Sequence, residues 1–177
     1  GLGQSYLTAE IFNAFKAKGI KTMQLLVTKD DFNEEDNLKG LLNESIKNNF
    51  VPVLNENDVI SLNSFGGNDH LALEIARIIG ASFLVLLTNV DCLYCADFEN
   101  KVFAPIYEVK NIDEKILNFA FDNKSKDGMG GMGDKLQVVK DAVCGGINTV
   151  LANGKAKDIL IRLILQNEQV GTRFCIS

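Results

Sequence analysis

The sequence has one histidine, two prolines and a single Cys-x-x-C pair, Cys92 and Cys95. A closed zinc site needs four ligands at suitable spacing. One histidine and no second Cys-x-x-C do not supply that set. Cys92, Cys95, Cys144 and Cys175 therefore read as free thiols of a reducing compartment. A redox role for Cys92 and Cys95 stays open. Basic residues are also short: 18 Lys and Arg stand against 23 Asp and Glu, for a net charge of −5. Without a basic stripe, nucleic acid is excluded as a partner. No apolar run reaches the length of a membrane span, and the first residues do not follow the pattern of a signal peptide. A cytoplasmic protein without a membrane partner is expected. There is no internal repeat and no low-complexity linker.

What is present suits a soluble globular chain. Its 177 residues fit one domain over 1–177, and 46% of them are hydrophobic. Apolar residues recur at helical spacing through Tyr6, Leu7, Ile11, Phe12 and Phe15, and Gly19 follows as a stop. A strand is expected over Ile20–Thr28, a helix over 33–49 and a short buried strand over Phe50–Leu54. Asp69 stands where an N-cap belongs, before a helix that starts at His70. Phe83–Thr88 is a continuous apolar run, as in a central parallel strand. Further along, a short strand is expected at Ile106–Val109, a helix over 113–122, and a Gly-rich loop over Ser125–Lys135. A helix over Lys135–Cys144, a strand over Ile147–Asn153, a helix over Asp158–Gln166 and a strand within Val170–Ile176 complete the pattern. Helices alternating with apolar strands predict a three-layer α/β/α sandwich around a mostly parallel sheet. In such sheets ligands bind beyond the carboxyl ends of the strands.

Three loops lie there. Asn55 to Asp69 carries Asn55, Asp58, Asn68 and Asp69, ahead of a helix whose free N–H groups favour anions. Asp58 offers acceptors for an ammonium, and the carboxamides of Asn55 and Asn68 both donate and accept. Together they describe a pocket for a zwitterion near a phosphate, although an Asn-rich loop that bonds only itself has the same composition. The second loop is Gly128, Met129, Gly130, Gly131, Met132, Gly133, Asp134 and Lys135. Crowded glycines let backbone approach a phosphate, and a lysine at a helix start can reach a transferring phosphoryl group. The spacing departs from the Walker pattern, and a Gly-rich linker is the plain alternative. The third is Thr88 and Asn89, at the end of the most apolar strand, where a base or ribose would sit.

The order of these pieces resembles the glutamate 5-kinases of the amino acid kinase family, from about Gly3 to Phe174. The segments that carry the resemblance are GQ at Gly3–Gln4, QLLVTKDDF at Gln24–Phe32 and VPVLNENDVI at Val51–Ile60. They continue with FGGND at Phe65–Asp69, LLTNVDCLY at Leu86–Tyr94, GMGGMGDKL at Gly128–Leu136 and GTRF at Gly171–Phe174. The resemblance implies transfer of the γ-phosphoryl of ATP, with Mg²⁺, to the side-chain carboxylate of L-glutamate. The product would be glutamyl 5-phosphate, the first intermediate of proline biosynthesis. It implies that Asp58 holds the substrate ammonium, that Asn68 bonds the substrate and that Asn55 supports the pocket. Asp69 would organise lysines rather than act as a base, since the glutamate carboxylate is already ionised. Lys135 would stabilise charge on the phosphoryl group. Thr88 and Asn89 match the nucleotide contacts, and Gly128 to Lys135 the loop over the phosphates. Proline as an inhibitor and a dimer or tetramer are further implications.

Four positions depart from the family pattern. Asn89 replaces an aspartate, Gly67 an acidic residue, Cys92 a glycine and Met129 a threonine. The resemblance also expects an earlier strand with a lysine and glycine-rich turn, and an SSGA-type turn. Against that pattern the chain lacks roughly a hundred residues and alone is expected to be a poor catalyst. The rivals are a kinase of the same family for another substrate and a degenerate, non-catalytic amino-acid- or nucleotide-binding member.

Overall fold

The computed structural model describes residues 2–57, 60, 64–97, 102–112, 116 and 131–175. The expected helix at 113–122 lies almost wholly outside them. The chain divides into two compact units, Gly1–Ile79 and Gly80–Ser177.

The first unit runs helix α1 (Leu2–Lys16), strand β1 (Lys21–Val27), a 3₁₀ turn (Lys29–Glu34), helix α2 (Glu35–Lys47), strand β2 (Phe50–Glu56) and helix α3 (Asn68–Ile78). β1 and β2 pair in parallel, from Lys21 opposite Phe50 to Val27 opposite Glu56. Parallel neighbours need a crossover of a dozen residues or more, and the 3₁₀ turn with α2 provides it. Leu38, Leu42 and Ser45 fall at intervals of four and three, so α2 buries one face. Leu38 and Leu42 meet Val27, Leu71 and Ile78 in one core, against which Leu54 and Phe65 pack.

The second unit holds β3 (Phe83–Thr88), β4 (Leu93–Asp97), β5 (Val102–Ile106), β6 (Glu108–Val109), helix α4 (Met132–Cys144), β7 (Asn148–Asn153), a π-helical turn (Ile161–Leu165) and β8 (Thr172–Phe174). One sheet has the order β3-β7-β8-β6, and β4 with β5 forms a separate hairpin. β3 pairs with β7 in parallel, with Thr88 opposite Asn153 at the carboxyl ends. β8 is antiparallel to β7 and parallel to β6. Leu136, Val138, Val139 and Ala142 are fully buried, which fixes α4 on β7.

Several expectations are corrected. β2 extends two residues past Leu54, so Asn55 belongs to the strand. α3 begins at Asn68 with Gly67 as its N-cap, which places Asp69 inside the first turn rather than before the helix. α4 begins three residues before Lys135. The last expected helix, over Asp158–Gln166, is present, but it is π-helical over Ile161–Leu165. The β4–β5 hairpin was not expected, because its strands alternate weakly. Among the described residues no helix is long and apolar enough to cross a membrane.

Candidate functional site

The polar stretch from Asn55 onward is organised by a residue that sequence reasoning passed over. Glu56 ends β2 and is only 5% exposed. Its carboxylate accepts from the Phe65 N–H at 3.1 Å and from the Ser64 hydroxyl at 3.0 Å. The Ser64 oxygen in turn accepts from the Gly66 N–H at 3.1 Å. The strand end and the loop into α3 are thereby tied together. Nothing in the composition marks Glu56, since its neighbours are equally polar. The available signal was its placement within the strand period.

The second tie comes from the TKDDF stretch. The Asp31 carboxylate accepts from both the N–H and the hydroxyl of Thr28, at 2.7 and 2.8 Å, closing the 3₁₀ turn. That turn presents Phe32 edge-on to Phe65, with ring centroids 4.8 Å apart. The Lys29 ammonium lies 5.8 Å from the Phe65 ring centre, within cation–π range. Gly66 and Gly67 then turn with φ of +91° and +126°. Such φ values favour glycine, so Gly67, where the family pattern has an acidic residue, fits its backbone here. Asn68 opens α3 exposed, and Asp69 is half-buried in the first turn, where a carboxylate complements the helix dipole. Asn55 is half-buried in β2, opposite Leu26. Asp58 lies outside the described residues.

In the second unit the carboxyl end of β3 is stitched to that of β7. The Gly154 N–H donates to the Thr88 carbonyl at 2.9 Å. The Asn153 amide donates to Asp91 at 2.7 Å, and its oxygen accepts from the Lys155 N–H at 2.9 Å. Thr88 directs its hydroxyl toward the Asn89 side-chain oxygen at 3.4 Å, a long contact. Gly131 caps α4 from an extended conformation, and its carbonyl accepts from the N–H groups of Asp134 and Lys135. Met132, Gly133, Asp134 and Lys135 form the first turn of α4, all half-buried. β7 is the common neighbour of β3 and α4. Gly128, Met129 and Gly130 lie outside the described residues.

Beside this strand end is a cavity of about 370 Å³, lined by Asp91, Cys92, Tyr94, Tyr107, Asn153 and Arg162 among others. Its first lining residue, Asp91, stands two residues beyond Asn89, and neither Thr88 nor Asn89 lines it. Arg162 is held by Glu168 at 2.8 Å. Burial pushes the Cys92 thiol above its ordinary range, against an opposing bond with Tyr94. The same bond with Cys92 raises the Tyr94 hydroxyl.

The GTRF stretch closes the cavity wall for reasons that are visible in the fold. Gly171 has φ +74°, and a Cβ there would run into the Leu151 carbonyl oxygen. The fully buried Thr172 accepts from the Leu93 N–H at 2.8 Å and donates to the Ile106 carbonyl at 2.6 Å, pinning both strands of the hairpin. Arg173 donates to the carbonyls of Leu163 and Glu168, and Phe174 is core. Cys92, Cys95, Cys144 and Cys175 are free. Among the described residues no group of three or more His, Cys, Asp or Glu side chains gathers as a metal-ligand set.

Residues 1–153 match the model of the amino acid kinase family. The chain is 34% identical over 185 residues to a glutamate 5-kinase of Dehalococcoides mccartyi, covering 99% of the chain and 49% of that protein. It is also 34% identical over 179 residues to glutamate 5-kinase 2 of Bacillus subtilis, covering 98% of the chain and 48% of that protein. The chain thus spans about half the length of the curated relatives it matches. An isopentenyl phosphate kinase structure superposes with a TM-score of 0.63 at 16% identity, over 96% of this chain and 66% of that one. At that identity the likeness is one of fold.

Proposed function

We propose, from the premise that the chain belongs to the amino acid kinase family, that it is part of an ATP-dependent kinase acting on the side-chain carboxylate of L-glutamate. The observation that carries this reading is the likeness to glutamate 5-kinases along 98–99% of the chain. Residues of the first unit hold the amino acid, and residues of the second hold the nucleotide.

A carboxylate oxygen of glutamate attacks the γ-phosphorus, the bond to the bridging oxygen breaks, and ADP leaves with its electron pair. The attacking oxygen is already ionised, so no proton moves. What the protein supplies is position and charge. Asp58 pairs with the substrate ammonium, and Asn68 and Asn55 orient the zwitterion. Lys135, on the first turn of α4, stabilises charge on the phosphoryl group, and Asp69 organises the catalytic lysines rather than acting as a base. Thr88 and Asn89 contact the nucleotide, and Gly128 to Lys135 cover its phosphates. The cavity beside Asp91 has a volume within the range of small-molecule sites, and its two tyrosines suit a flat base. Mg²⁺ would arrive on the ATP phosphates, as is usual for this ion. The product would be glutamyl 5-phosphate, used in proline biosynthesis. Proline as an inhibitor and assembly into a dimer or tetramer belong to the same reading.

The test is formation of γ-glutamyl hydroxamate from L-glutamate, ATP, Mg²⁺ and hydroxylamine by the full-length protein that carries this chain. Turnover that depends on both L-glutamate and ATP is expected. Binding of either ligand without ADP release would replace this reading by the non-catalytic one, and turnover of a different acceptor would replace the substrate.

A further inference from the structure

We propose that Glu56 is a positioning residue for the amino-acid substrate, acting through the loop that delivers Asn68 and Asp69; this rests on the kinase reading above. A carboxylate at 5% exposure must have its charge satisfied by hydrogen bonds or a counter-ion. Glu56 binds neutral donors, and both belong to consecutive residues of one loop: the Ser64 hydroxyl and the Phe65 N–H. The Ser64 oxygen passes the constraint on to the Gly66 N–H. One side chain on β2 therefore fixes three residues of the incoming loop.

The consequence follows from what lies next. Between Phe65 and the first residue of α3 stand only Gly66 and Gly67, both at positive φ. Two glycines have wide conformational freedom and do not hold a geometry unaided. The lead into Asn68 is therefore set by the anchor before it. That anchor is the Glu56 bonds together with the Phe65 ring against Phe32. Side chains alternate along a strand, so Glu56 and Asn55 leave opposite faces of β2. Glu56 thus acts on the substrate through the loop and not by touching it.

The experiment measures KM for L-glutamate and for ATP separately, by hydroxamate formation, in the full-length protein and in its E56A, E56Q and S64A variants. E56A is expected to raise KM for glutamate about tenfold, the loss of a charge-assisted bond, while KM for ATP moves less than about twofold. E56Q keeps one acceptor oxygen and is expected to fall between. S64A, at an exposed position, removes one arm of the tether and is expected to raise KM for glutamate about threefold. It carries the test if E56A does not fold. Hydrogen exchange at the Phe65 amide is expected to accelerate in E56A and E56Q. An unchanged KM for glutamate in E56Q and S64A, or a parallel rise in both KM values, overturns the positioning role alone. No turnover by the unsubstituted protein overturns the kinase reading, and this role with it.

Discussion

Cys92 occupies a position where the family pattern has glycine, and the residue is 4% exposed on the wall of the cavity. Burial raises its pKa, because the thiolate would lose its water. The sign for stability follows. A group whose pKa is higher in the folded state stabilises the fold while it is protonated, at and below the ordinary thiol range. That contribution is lost as pH climbs through the raised value. Reactivity follows as well, since the thiolate is the nucleophile. In the folded protein at about pH 8, iodoacetamide is expected to label exposed Cys95 and Cys144 at least roughly tenfold faster than Cys92. Peptide mass spectrometry after timed quenching reads this directly. Equal labelling of all three would mean that the cavity wall is open.

The β4–β5 hairpin depends on one hydroxyl. Thr172 satisfies a donor from β4 and an acceptor from β5 at once. Thr172→Val keeps the shape and leaves both groups unpaired in a buried place, at a cost of about 1–3 kcal/mol. Thr172→Ser keeps the hydroxyl and is expected to recover most of that loss. Thermal melting of the two variants checks it, and equal melting temperatures would show that the pin is unimportant. This pin also shows where sequence reading stops. The strands with continuous apolar runs, such as Phe83–Thr88, were legible, as were the helices with one apolar face. The hairpin was not, because its stability comes from β8, nearly eighty residues away, rather than from its own alternation. The polarity of Asn55 marks the end of a strand by composition, whereas parallel pairing with Leu26 carries β2 past it. Glu56 is hidden for a related reason: a tether is defined by its partners, and the sequence gives neither Ser64 nor Phe65 a role in one.

For the molecule as a whole, the residues assigned to the amino acid fall in Gly1–Ile79 and those assigned to the nucleotide in Gly80–Ser177. The order of motifs along the chain was legible, and so was the α/β class. The division into units was not, because no linker composition marks residues 79 and 80. This division yields a prediction for the full-length protein. L-glutamate is expected to slow amide exchange around 55–57 and 64–69 in the first unit. ATP is expected to slow it around 88–94 and 131–135 in the second. Hydrogen-exchange mass spectrometry with each ligand alone checks the assignment. Protection by L-glutamate confined to the second unit would reverse it.

The stitch between β3 and β7 also bears on how the protein ages. Asn153 and Gly154 form an Asn-Gly pair, the sequence most prone to deamidation through attack of the glycine nitrogen on the side-chain carbonyl. Here that nitrogen is engaged with the Thr88 carbonyl, and the Asn153 amide is held by Asp91 and Lys155. The folded chain is therefore expected to deamidate at Asn153 far more slowly than the unfolded one, as peptide mapping after alkaline storage would show. Once it happens, the change is not neutral: a donor to Asp91 becomes a second carboxylate facing the first. Damage at this one site would then loosen the stitch that holds the end of β3 to β7, so that unfolding of the second unit on storage is expected to track the fraction of chains deamidated at Asn153.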